Sequence, residues 1–177
     1  MRSELACAAV LLAVAAGCKR YPDTYAPPEQ RRPFTIEEPP VVKSFLAMND
    51  PVAPLQFVKD IDSGLEAGTS RWTLKQPTVR LSAPKEHGLR FVADVTVPEQ
   101  AFRLTGPVAI TVTINDRKLD TFAFDKPGSR RLEKPVPEGW LYKDDDNIVM
   151  LEIDKLWTSP AERPPAGFLL HRVGFIE

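Results

Sequence analysis

The sequence predicts an all-β domain, an antiparallel sandwich of about eight strands, and three observations point to it. Apolar and polar residues alternate with a period of two along several segments, the mark of strands with one buried face. Turn signals separate those segments about every 8–12 residues. Prolines outnumber glycines by 18 to 9, which suits loops, edge strands and extended segments and opposes long helices.

The elements follow in order. Val41 to Phe57 carries enough apolar residues to dock on the domain, and Ser44 to Asn49 reads as one short helical turn. Gln56 to Val58 and Arg71 to Leu74 are short strand candidates. Thr78 to Leu81 is a separate one, with Val79 and Leu81 on one face. Leu89, Phe91, Ala93, Val95 and Val97 share a face, as do Val108, Ile110, Val112 and Ile114. Asn115 and Asp116 tolerate positive φ and read as a tight hairpin turn. The chain then returns through Lys118 to Phe124 with Phe122 and Phe124 inward. Lys126-Pro127-Gly128 is the next turn, and Arg130 to Val136 is a polar, edge-like strand. Asp144 to Asn147 turns the chain into Ile148 to Ile153. A proline-rich loop from Trp157 to Gly167 leads to a last strand, Phe168 to Ile176.

The N-terminus reads differently. An unbroken apolar run from Leu5 to Ala16 is too short to cross a bilayer, which takes about 20 helical residues, but it fits the core of a secretory signal. Small residues follow, then Cys18 and a polar, proline-rich stretch. Val14-Ala15-Ala16-Gly17-Cys18 resembles the lipobox of bacterial lipoproteins. It departs from it at Ala15, where that family usually has Leu, and Glu4 offsets Arg2 in the leading segment. The resemblance implies cleavage before Cys18, a lipid on its thiol, and a membrane as partner through that anchor. Lys19 in place of Asp after the cysteine implies outer-membrane residence in a Gram-negative envelope. The expected organisation is a signal over residues 1–17, a lipid-anchored, proline-rich linker over 18–43, and a β-sandwich over 44–177.

Composition narrows the chemistry. A net charge of −1 gives no basic field for nucleic acid. Cys7 lies in the signal, so Cys18 is the one cysteine expected in the processed chain, which excludes an internal disulfide and a cysteine-based metal or catalytic site. His87 and His171 lie far apart and read as a turn histidine and a strand-surface histidine. Asp60-Ile61-Asp62-Ser63-Gly64-Leu65-Glu66 has the alternating acids of a calcium loop with the glycine and glutamate misplaced for an EF-hand. Asp144 to Asp146 reads as a solvated turn. There is no Gly-x-Ser-x-Gly elbow and no glycine-rich phosphate loop. No catalytic residue, metal or cofactor is expected.

Several phrases together carry a second resemblance: Arg71-Trp72-Thr73, Val112 to Leu119, Lys126-Pro127-Gly128, Pro135 to Leu141, and Leu156-Trp157-Thr158-Ser159-Pro160 leading to Gly167-Phe168. Their order resembles the galactose-binding-like jelly-roll sandwiches of many carbohydrate-binding modules, over about residues 56–177. The resemblance implies a jelly-roll-like sandwich, and a glycan or an envelope protein as partner. Aromatic rings are what such a site uses, because sugar C–H faces pack on them. Of Trp72, Trp140, Trp157, Tyr142 and Phe102, the reading places Trp72 and Trp140 in the core. It places the candidate site at Trp157 with Thr158, Ser159 and Arg163. Two alternatives stand for Trp157: an exposed ring that stacks on sugar, or, as favoured, a ring folded inward to cap the sandwich. Arg71 is expected to pair with Glu66 and fix the strand end. The function expected is a non-catalytic, lipid-anchored binding or scaffold module of the bacterial cell envelope. Its rivals are a protein-interaction subunit of a membrane complex and an unrecognised hydrolase.

Overall fold

The computed structural model describes residues 41–158 and 165–177. The signal, Cys18, most of the linker, Ser159 and Arg163 lie outside the described residues. Nine strands are present among those described: β1 (Phe45–Ala47), β2 (Phe57–Ile61), β3 (Arg71–Leu81), β4 (Arg90–Val97), β5 (Val108–Ile114), β6 (Arg117–Phe124), β7 (Gly128–Pro135), β8 (Asn147–Ile153) and β9 (Leu169–Ile176). Every pairing is antiparallel. The strand order is β6-β5-β8-β3-β9-β4-β7, with β1 added to β9 and β2 added to β3. The domain is an all-β antiparallel sandwich.

The predicted alternation sets the layers. In β5, Val108, Ile110, Val112 and Ile114 are buried and the residues between them are half-buried. Val149, Leu151 and Ile153 of β8 and Phe91, Ala93, Val95 and Val97 of β4 bury the facing surfaces. Asn115 and Asp116 turn the β5–β6 hairpin at φ of 48° and 63°, the left-handed values a two-residue turn requires.

β3 joins the two layers. Arg71 and Trp72 pair with Leu170 and Leu169 of β9, whereas Thr78 to Leu81 pair with Met150 to Asn147 of β8. The sequence reading split this strand in two. It is one strand, and Pro77, which has no N–H to give, sits where it leaves one layer for the other. Just before it, the Gln76 N–H donates to Asp60 Oδ2 at 2.8 Å in place of a ladder bond.

Two further expectations are corrected. Ser44 to Asn49 contains no helical turn: Phe45–Ala47 is β1, with Phe45 opposite Gly174. Burial falls on Leu46 and Met48, a period of two, not of 3.6. The approach is close, since a Cβ on Gly174 would lie 2.5 Å from the Phe45 Cα. A helix absent from the reading, α1 (Glu99–Thr105), follows β4. Pro98, extended, precedes it as the N-cap, and Gly106 closes it at φ 69°, a value that favours glycine.

β6 and β7 end the strand order and approach each other through side chains. Arg130 Nη1 donates to the Ala123 carbonyl at 2.8 Å, and its guanidinium lies over the rings of Phe122 and Phe124. Lys134 Nζ meets Asp120 Oδ2 at 2.6 Å.

Candidate functional site

Between β2, the start of β3, α1 and the loop before β9, a cavity of about 650 Å³ opens, lined by Asp60, Asp62, Glu66, Trp72, Gln100 and Trp157 among others. Two indoles form its wall. The Trp72 and Trp157 rings lie 5.6 Å apart, tilted by 51°. Trp72 was expected in the core. It is half-buried instead, because alternation along β3 turns Arg71 and Thr73 inward and Trp72 to the outer face. Trp157 is 9% exposed. Its backbone N–H and carbonyl both bond to Ala166, at 2.9 and 2.8 Å, so the ends of the proline-rich loop are clipped together beside the cavity. Trp157 Nε1 is buried and has no hydrogen-bond partner among the described residues. Thr158 is exposed beside it.

The carboxylates come from β2 and the loop after it, and each is held by a backbone or ring N–H. Asp60 adopts φ 60°, a costly conformation for a residue with a Cβ. It sits where the β2–β3 register shifts, and its Oδ2 accepts the Gln76 N–H. Asp62 Oδ1 accepts the Gly64 N–H at 2.9 Å. Glu66 Oε2 accepts Trp72 Nε1–H at 3.0 Å. Each carboxylate keeps a second oxygen to offer.

Arg71 organises this loop from beneath. It is 5% exposed. Its Nε donates to the Met48 carbonyl at 2.8 Å, its Nη1 donates to the carbonyls of Asp62 and Ser63, and its guanidinium lies over the Phe57 ring. The expected ion pair with Glu66 does not form. Arg71 and Trp72 project to opposite faces, and the partner on the Glu66 face is the indole. On the far side, Thr73 Oγ1 donates to the Phe168 carbonyl at 2.9 Å and accepts the Phe168 N–H. Gly167 fits against Leu74, where a Cβ would lie 2.7 Å from the Leu74 carbonyl oxygen.

Chemically, the cavity offers flat apolar faces, hydrogen-bond acceptors on one lip and no Lys, Arg or His among the described lining residues. Groups of three or more His, Cys, Asp or Glu with metal-binding spacing are absent among the described residues. Phe102 and Trp140 pack against the core, with Arg117 over the Trp140 ring, and Tyr142 is exposed; none of the three lines the cavity. His87 lies near Glu86 in an exposed turn. His171 is half-buried and its Nε2 meets Thr96 Oγ1 at 2.8 Å. Of the residues expected at the site, Trp157 lines this cavity and Thr158 lies beside it, and Trp72, expected in the core, is the second indole. The signal for Trp72 was its place in the outward parity of β3.

No family model matches the chain, and no curated protein does. Solved structures similar to it include three enzymes. A family GH115 4-O-methyl-alpha-glucuronidase with specificity for decorated arabinogalactans is 12% identical, with a TM-score of 0.45, over 82% of this chain and 19% of that one. An exo-beta-1,3-galactanase from Phanerochaete chrysosporium is 11% identical, with a TM-score of 0.41, over 76% of this chain and 29% of that one. An acetyl xylan esterase from the rumen bacterium Butyrivibrio proteoclasticus is 10% identical, with a TM-score of 0.43, over 76% of this chain and 33% of that one. The chain thus spans a third or less of the length of each.

Proposed function

We propose that this chain is a non-catalytic, lipid-anchored binding module of the bacterial envelope, and that its sandwich binds a glycan in the cavity walled by Trp72 and Trp157. The observation that carries the reading is the pairing of two indoles with three tethered carboxylates around one opening. Sugar rings present apolar C–H faces and a rim of hydroxyl donors. A wall of indole with acceptor oxygens beside it complements both. A cavity largely apolar with a few placed polar groups is also the usual form of a small-molecule site. The lipid anchor rests on the apolar run ending in Ala16-Gly17-Cys18.

Trp72→Ala tests the site. The ring is half-buried on the outer face of β3, so the variant is expected to keep its fold while glycan binding, read on an oligosaccharide array and by titration calorimetry, falls at least tenfold. Unchanged binding in a folded variant overturns the cavity as the site. Cys18→Ser tests the anchor: incorporation of a palmitate analogue is expected to be lost, and equal labelling of the variant refutes it. The hydrolase rival has one observation in its favour, carboxylates gathered at a cavity. Product analysis after prolonged incubation with the bound oligosaccharides separates the two, since a binding module returns them intact.

A further inference from the structure

We propose that the outer face of the β3–β9–β4–β7 layer carries a second, basic subsite, so that the protein binds an extended oligosaccharide bearing acidic groups, laid across the strands from the tryptophan cavity to Arg131 and Arg172. This rests on the glycan reading of the cavity.

Register supplies the track. Trp72 lies opposite Leu169, Leu169 opposite Thr96, and Thr96 opposite Ser129. Residues paired across an antiparallel ladder project to the same face, so these four form one row perpendicular to the strands. The hydroxyls of Thr96 and Ser129, 2.8 Å apart, bear this out at the far end. Neighbouring strands lie about 4.8 Å apart, so three steps carry the row about 14 Å from Trp72. One sugar ring does not reach that far; a chain of several does.

A bulge in β9 lies beside the row. Asp94 lies opposite Arg172 and Val95 opposite Leu170, which leaves His171 as the extra residue of β9. Bulges re-aim side chains, and the His171 ring reaches Thr96 on the same outer face. Beside it, Asp94 holds two guanidiniums together. Arg131 Nε and Nη2 donate to its two oxygens at 2.8 and 3.1 Å, and Arg172 Nε lies 3.6 Å from Oδ2. Two cations against one carboxylate leave positive charge over. Arg131 Nη1 and the terminal nitrogens of Arg172 hold no hydrogen bond among the described residues. Both arginines border a recess of about 280 Å³ with Asp94, Ser129 and His171. The two arginines lie beside the row, opposite Asp94 and two residues along β4 from Thr96, so the face is acidic at the cavity and basic away from it. Carboxylates at the cavity suit hydroxyl donors, and guanidiniums at the recess suit a carboxylate, sulfate or phosphate substituent. That polarity sets the direction in which a chain lies.

The test presents the full chain with an array of neutral, carboxylated and sulfated oligosaccharides of one to six units, and titrates the best ligands into wild type, Arg172→Gln and Trp72→Ala. Wild type is expected to prefer acidic oligomers, with affinity rising over the first several units and falling with added salt. Arg172→Gln is expected to weaken acidic oligomers about tenfold and leave neutral ones unchanged. Trp72→Ala is expected to weaken both. Equal affinity for acidic and neutral oligomers with no effect of Arg172→Gln overturns the basic subsite and leaves the cavity standing. Single acidic sugars bound as tightly as long chains overturn the extended track. If no oligosaccharide binds, both the track and the glycan reading fall.

Discussion

In the β5–β6 hairpin the ladder runs from Val108 opposite Phe124 to Ile114 opposite Arg117 with a single register shift, and every second residue of β5 is buried. Around the cavity, β2 loses register with β3 twice within five residues, and side chains take over from the backbone: Asp60 for the Gln76 N–H, Arg71 for the carbonyls of Met48, Asp62 and Ser63, Thr73 for the Phe168 N–H. The hairpin is positioned by burial and the cavity by polar capping. An opening of this size has no core to lean on, so its walls stay in place only if each displaced backbone group finds a side-chain partner.

The largest effect expected at the cavity is that of Trp157→Ala, about 3–5 kcal/mol, the range for truncating a buried Trp. Denaturant melts measure it. A loss under about 1 kcal/mol would mean that the ring walls the cavity without supporting the fold.

In the hairpin the contrast lies between faces. Ile110→Ala, fully buried, is expected to cost about 2–5 kcal/mol. Thr111→Ala, which gives up only a cross-strand hydroxyl contact with Thr121 at 3.0 Å, is expected to cost under about 1 kcal/mol. Equal losses in paired melts would show that both faces of the sheet carry weight.

Arg71→Met sharpens the comparison from the polar side. It keeps a long apolar stem over Phe57 and leaves three carbonyls without their donor. A cost of about 1–3 kcal/mol is expected. Hydrogen exchange should speed up in residues 62–70 while the β5–β6 amides hold their rates. Uniform acceleration across the domain would make Arg71 an ordinary core residue.

The smallest effect concerns acid. The hydrogen bond from Arg131 holds the Asp94 carboxyl below its ordinary 3.8. A group whose folded value is depressed adds stability above the unfolded value and loses it as pH falls through the folded one. Asp94→Asn is therefore expected to be less stable than wild type above about pH 5 and to converge on it in more acid solution. Melts from pH 2 to 6 check this; a gap that stays constant removes Asp94 as a contributor.

The same division explains what could be read from the amino acids. The alternation of β4, β5 and β8 and the Asn115-Asp116 turn stood out because burial imposes a period of two on residue types. The continuity of β3 did not, because Pro77 interrupts the pattern while the backbone stays extended. α1 is too short for an apolar periodicity, and only Pro98 and Gly106 mark its ends. At the site, Trp157 stood out as an aromatic in a polar loop. Its neighbour Trp72 did not, since its pairing depends on contacts between segments distant in sequence. The acids of residues 60–66 were visible as a cluster, but their roles come from partners that no local spacing encodes: Gln76 for Asp60, the Trp72 indole for Glu66. His171 was legible as a strand residue and illegible as a bulge, because an inserted residue shows only against the partner strand.

The contacts between β6 and β7 bear on how copies of the chain behave when crowded. An unpaired strand edge is a template for a strand from another molecule. Here the two ends of the strand order are turned toward one another, and a newcomer would first have to lift Arg130 from the Ala123 carbonyl and Lys134 from Asp120. β7 also shows water a run of exposed polar residues, with only Leu132 buried. Strand addition at β6 and at β7 is thus opposed by the same few side chains, and β1 and β2, each paired on one side only, are the edges left to other means.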